Sequence, residues 1–91
     1  MIRDQTRTHQ LILREVNERI AEITVQQEES RSEFVCECGR MDCNDHVDLD
    51  LGAYRAIRAS GDYFIAATGH CVDGVDRLAE SRDGFDVLAQ L

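Results

Sequence analysis

Three cysteines fall within the eight-residue run Cys36-Glu37-Cys38-Gly39-Arg40-Met41-Asp42-Cys43, the segment of this chain best equipped for chemistry. Thiolates so closely spaced reach one ion without long-range organisation, and Zn²⁺ takes sulfur at about 2.3 Å in a tetrahedron. The C-x-C pair is tighter than the usual C-x₂-C knuckle, so the backbone there must turn sharply or run as a bulged strand. Gly39, with no Cβ to oppose positive φ, suits such a turn. Cys38 and Cys43 sit among polar residues, where burial as small apolar side chains gains little.

Three thiolates leave one tetrahedral position to fill. His70 and Cys71 follow Gly69 at the end of an apolar run, and either can swing back to the cluster; His46 is the local competitor. His70 is preferred, then Cys71, then His46, because a ligand from a distant strand ties two halves of a weak core together. With Cys36, Cys38, Cys43 and a neutral His70, a zinc centre carries one net negative charge. With Cys71 instead, the four sulfurs have the donor set of an iron–sulfur cluster.

Catalysis is not expected. A catalytic zinc keeps a position open for water, whereas four good ligands are at hand here. Glu37, Asp42 and Asp45 are candidate acids, but their context reads as a solvated acidic face. His70 and Cys71 make a poor nucleophile pair, since adjacent strand residues point to opposite faces.

The elements that must position these residues are short. Leu13, Val16, Ile20 and Ile23 follow 3-4-3 spacing, which predicts an amphipathic helix from about Thr6 to Gln27 with that stripe docked on the domain or on a partner helix. The polar stretch Gln26 to Glu33 reads as a linker. Phe34-Val35 enters the cysteine segment as a strand, and His46-Val47-Asp48-Leu49 alternates like a half-buried one. Asp50 is placed to cap a helix through Tyr54 and Ile57 that ends at Ser60-Gly61. Tyr63 to Ala67 is the strongest strand, and Asp83-Gly84 between Val75–Ser81 and Phe85–Leu91 signals a hairpin. The predicted fold is therefore α+β. An amphipathic helix and linker (1–30) precede a small zinc-binding domain (31–91) of short antiparallel strands, one short helix and a C-terminal hairpin.

Composition agrees with a metal-assisted fold. A chain of 91 residues with five aromatics and no Trp builds only a marginal core, and domains of this size often add a metal or a disulfide. The net charge is −8, with eight acids against two Arg over residues 28–50 beside the cysteines. That balance disfavours nucleic acid, whose binders use basic faces, and favours a protein partner with a basic surface. Met1 leads into a polar stretch with no apolar leader, and no run is long enough to span a membrane. The expected location is cytoplasmic, where thiols stay reduced and clustered cysteines signal metal more than disulfide.

The run Phe34-Val35-Cys36-Glu37-Cys38-Gly39, then Cys43, then Val47 to Arg58, Tyr63-Phe64 and Gly69-His70 resembles a family of small actinobacterial proteins. Their pattern is F-x-C-E-C … C … I-x-L-T … E-Y-E-x-V-R … R-F-x-V … G-H. The resemblance covers nearly the whole chain and implies a cluster of Cys36, Cys38, Cys43 and His70. Departures are Ala53 and Arg55, where the family tends to be acidic, and Cys71 directly after the histidine. The sequence thus reads as a non-catalytic zinc-binding interaction or regulatory module. A thiolate-based redox or metal sensor and a nucleic-acid-associated zinc domain are the alternatives.

Overall fold

The chain folds as α+β in a computed structural model that describes residues 2–91, with side chains from residue 5 onward. Helix α1 (Ile2–Gln26) is followed by strands β1 (Arg31–Val35) and β2 (His46–Asp50), helix α2 (Leu51–Ser60), and strands β3 (Tyr63–Ala66), β4 (Asp76–Arg82) and β5 (Phe85–Gln90). The strands form a two-stranded sheet, β1-β2, and a three-stranded antiparallel sheet of order β3-β5-β4.

Strand β1 takes up Arg31, Ser32 and Glu33, part of the stretch expected to be a linker. Polar residues suffice there because one face of the hairpin is solvated: Phe34 opposes Val47 on the buried face, while Glu33 opposes Asp48 on the exposed one. Period-two alternation of this kind fixes the register. Asp50 caps α2, accepting from the amides of Gly52 at 2.8 Å and Ala53 at 3.2 Å. The helix then buries Tyr54 and Ile57. The hairpin turns at Asp83-Gly84 as expected, with Gly84 at φ 90°. A bulge between Leu78 and Glu80 interrupts β4 along the sheet edge.

Strand β5 is buried from Phe85 to Ala89 because both faces of the sheet are covered. One face, with Ile65, Phe85 and Val87, joins Phe34, Val47, Leu49, Tyr54, Ile57 and Ala21 in a hydrocarbon core. The Phe34 and Tyr54 rings stack within it, 4.3 Å apart and 1° from parallel. The opposite face, with Phe64, Ala66 and Leu88, meets Cys36 and Cys38. An apolar run such as Phe64-Ile65-Ala66 is what a strand covered on both sides requires.

Helix α1 docks by only part of the expected stripe: Ile20 packs against the hydrocarbon core and Leu13 is half-buried. Val16 and Ile23 are 41% and 44% exposed, whereas Thr6, Gln10, Asn17, Ala21 and Thr24 are buried. These five share one face at helical spacing, and polar bonds hold it. Asn17 Nδ2 donates to the carbonyl of Val35 at 2.9 Å and its Oδ1 accepts from the amide of Val35 at 2.8 Å. Gln10 Nε2 donates to the Asp76 carboxylate at 2.9 Å and Gln10 Oε1 accepts from Gln90 at 3.0 Å. The helix stops in a Schellman turn, with Glu28 at φ 59° and the amides of Glu28 and Glu29 bonded to the carbonyls of Val25 and Thr24.

Candidate metal centre

Hairpin closure builds half of the site. The loop between β1 and β2 carries all three motif cysteines, and the bond from Cys36 N to Asp45 O at 3.0 Å extends the pairing one residue past the strands. This clamps Cys36 beside the 43–45 end of the loop. Gly39 then turns the backbone at φ 85°. A Cβ at that position would lie 2.6 Å from the carbonyl oxygen of Thr6 and 2.7 Å from Gln10 Cγ on α1. Glycine is thus required by the conformation and by the helix resting on the turn.

Strand β3 supplies the other half. After Ala66 the chain turns through Thr68-Gly69, with His70 N donating to Ala67 O at 3.1 Å. The imidazole is thereby brought over the cysteine loop. His70 Nδ1 lies 3.5 Å from Cys36 Sγ and 3.5 Å from Cys43 Sγ. The ligand atoms of Cys36, Cys38, Cys43 and His70 all fall within 4.8 Å of one another. Zn–S bonds near 2.3 Å and a Zn–N bond near 2.0–2.1 Å give a tetrahedron with sulfur–nitrogen edges of roughly 3.5 Å. The two separations from His70 Nδ1 to sulfur match that edge.

Hydrogen bonds prepare each donor for an ion. The amide of Ala67 donates to Cys36 Sγ at 3.2 Å, and the amides of Arg40 and Asp45 donate to the sulfurs of Cys38 and Cys43. Amide hydrogens aimed at sulfur favour the thiolate. The hydrogen bond between Cys36 and Cys38 lowers the Cys38 thiol to about 4 and, with burial, raises that of Cys36. Burial raises the thiol of Cys43. On the far side of the imidazole, His70 Nε2 lies 3.1 Å from Asp45 Oδ2. A carboxylate there holds the ring proton on Nε2 and leaves the Nδ1 lone pair facing the sulfurs.

No protein family, curated protein or solved structure matches the chain. Geometry and donor chemistry therefore carry the functional reading.

Of the competitors for the fourth position, neither Cys71 nor His46 joins the group among the described residues. Cys71 Sγ points to the carbonyl of Asp76 at 3.6 Å, and its thiol is raised by burial and by nearby Asp76 and Asp73. His46 is exposed on the outer face of the hairpin. The acidic residues divide into three kinds. Asp42 is solvated as expected, Asp45 orients His70, and Glu37 is fully buried at 0% exposure. Sequence reasoning missed the roles of Asp45 and Glu37. The signal for Asp45 was its place two residues after a ligand, where a carboxylate can reach a second one; Glu37 has a partner 21 residues away in Arg58, which no local pattern reveals.

Proposed function

We propose that this chain is a zinc-binding module that works without catalysis, through contacts with another protein. The observation that carries the metal is the pair of 3.5 Å separations from His70 Nδ1 to two sulfurs, together with a donor set of three sulfurs and one nitrogen, which suits Zn²⁺. Cys36, Cys38, Cys43 and His70 saturate a tetrahedral ion and leave no position for a substrate water, which supports a structural role.

The reading of a partner rests on charge. Glu33, Asp42, Asp45, Asp48 and Asp50 are exposed around the hairpin that carries the site, and a surface of that sign recruits a basic protein face with an affinity that falls as salt rises. Among the described residues no helix is long and apolar enough to cross a membrane, and a cytoplasmic setting fits the reduced thiols the site needs.

Native mass spectrometry of freshly purified protein tests the metal directly. One zinc per chain is the expected result. A chain that flies at its bare covalent mass under gentle conditions, and stays so after incubation with Zn²⁺, overturns the reading. A brown, iron-containing protein would replace it with a redox-responsive centre.

A further inference from the structure

The middle residue of C-x-C is buried deeper than a surface loop demands. Glu37 is fully enclosed, and its carboxylate takes bonds from three elements. Ile65 N of β3 donates to Oε1 at 2.9 Å, Asn17 Nδ2 of α1 to Oε2 at 2.6 Å, and Arg58 of α2 donates to both oxygens, Nη1 to Oε1 at 3.2 Å and Nη2 to Oε2. The main chain joins in, with Glu37 N donating to Ile65 O at 2.7 Å. Both backbone groups of Ile65 are thus taken up by one residue. Since β3 is an edge strand in the order β3-β5-β4, Glu37 forms an added rung on its open edge.

Ion pairs buried this deeply add little net stability over a hydrocarbon of similar volume. A carboxylate at position 37 therefore calls for a reason other than general stability. Its neighbours provide one. Cys36 and Cys38 both belong to the cluster on the Phe64 and Ala66 side of the sheet, so pinning the intervening residue to Ile65 orients the two sulfurs together. The next amide along the same edge, Ala67 N, donates to Cys36 Sγ, and three residues later comes His70.

We propose that Glu37 is a positioning residue of the metal centre, its buried carboxylate fixing the bite of Cys36 and Cys38 and setting their distance from His70. This rests on the metal reading above. Arg58 and Asn17 hold the carboxylate; they serve the site through it.

The test uses the full-length chain with Zn²⁺ competed by a chromophoric chelator, and with Co²⁺ as a spectroscopic probe. Glu37→Gln puts an amide where Arg58 and Asn17 both donate, and the expected loss of zinc affinity is about 10–100-fold, as for other residues that orient metal ligands. Affinity alone does not separate positioning from folding, so the deciding readout is the absorption of protein saturated with Co²⁺. Glu37→Gln is expected to weaken the sulfur-to-cobalt charge-transfer band and the tetrahedral ligand-field bands, whereas Ile57→Ala, a truncation in the hydrocarbon core, leaves both unchanged. Should Glu37→Gln fail to fold, the double substitution Glu37→Gln with Arg58→Met removes the orphaned cation, and the same spectral change is expected. Wild-type protein that takes up neither metal overturns the metal reading itself. Wild-type protein that binds normally, with variants of unchanged affinity and spectrum, overturns only the role of Glu37.

Discussion

The two faces of the three-stranded sheet are held by different means. On one, Phe34, Tyr54, Ile57, Ile65, Phe85 and Val87 form a hydrocarbon core with a stacked ring pair. On the other, Phe64, Ala66 and Leu88 meet two cysteines, with Cys43, Ala67 and Cys71 at the margin. The first face stabilises itself by removing apolar area from water, at about 25 cal/mol per Å². The second has too little hydrocarbon for that, and its sulfurs repel one another once ionised. The cation proposed for this cluster would offset that repulsion.

Removing the proposed ion is expected to be the strongest way to break this balance. Structural zinc contributes an apparent 10–16 kcal/mol in small domains, comparable to or larger than the ~5–15 kcal/mol total stability of a typical domain. Cys38→Ser, or stripping by a strong chelator, is therefore expected to abolish the cooperative transition seen by circular dichroism. A chelated protein that melts cooperatively at the untreated temperature would show that the hydrocarbon face is sufficient alone.

Truncation on that other face should have a smaller effect. Phe34→Ala removes a fully buried ring and is expected to destabilise by about 3–5 kcal/mol, including loss of the stack with Tyr54. The metal-loaded variant should still hold one zinc per folded chain, since the Phe34 side chain lies in the other cluster. Calorimetric melting with a parallel zinc assay checks both halves of that statement. Loss of the metal at temperatures where the fold persists would mean that the two faces are not separable.

The hydrocarbon face was largely legible in the sequence, because alternation, the Asp50 cap and the Asp-Gly turn are local signals. So was the cluster: closely spaced thiols and a Gly-His at a strand end need only one long-range assumption. What escaped was polar and buried. The docking face of α1 runs through Gln10 and Asn17, whose bonds to Asp76 and Val35 leave no trace in a hydrophobic period. Of the apolar stripe, Ile20 and Leu13 turn inward, while Val16 and Ile23 stay exposed. Glu37 looked like one more acid in an acidic stretch, because its identity as a core residue depends on Arg58 and Ile65, brought to it only by the finished fold.

Asp76 tests how the polar docking of α1 bears on the cysteine face. Burial raises its carboxyl above the ordinary 3.8; the bond from Gln10 and the charge of Arg7 oppose the rise, and the charge of Cys38 adds to it. A carboxyl raised on folding binds protons more readily in the native state, so its contribution declines as pH rises from 3.8 through the native value and is lowest at neutral pH. Asp76→Asn keeps an acceptor for Gln10 and removes the charge. The variant is expected to be the more stable protein at pH 7, with an advantage that shrinks on acidification and vanishes below about pH 3.8. Paired denaturant titrations across that range measure the difference; an advantage constant with pH would contradict the assignment.

The smallest effect concerns the hairpin that bridges the two faces. On its solvated side Glu33 stands opposite Asp48, a like-charged cross-strand pair, and Arg31 Nε offsets it only in part from 3.3 Å. Directly opposed like charges destabilise an antiparallel pair, and a favourable pair contributes about 0.2–1 kcal/mol. Glu33→Arg is therefore expected to stabilise the folded chain within that range, less at high salt because both groups are exposed. Zinc affinity should hardly change, as Glu33 points away from the buried face that leads to Cys36. The same substitution reverses one charge on the acidic surface proposed to meet a basic partner, so a weaker, less salt-sensitive association alongside a slightly higher melting temperature would place that contact on the hairpin. Unchanged association would move it elsewhere on the molecule and leave the stability argument standing.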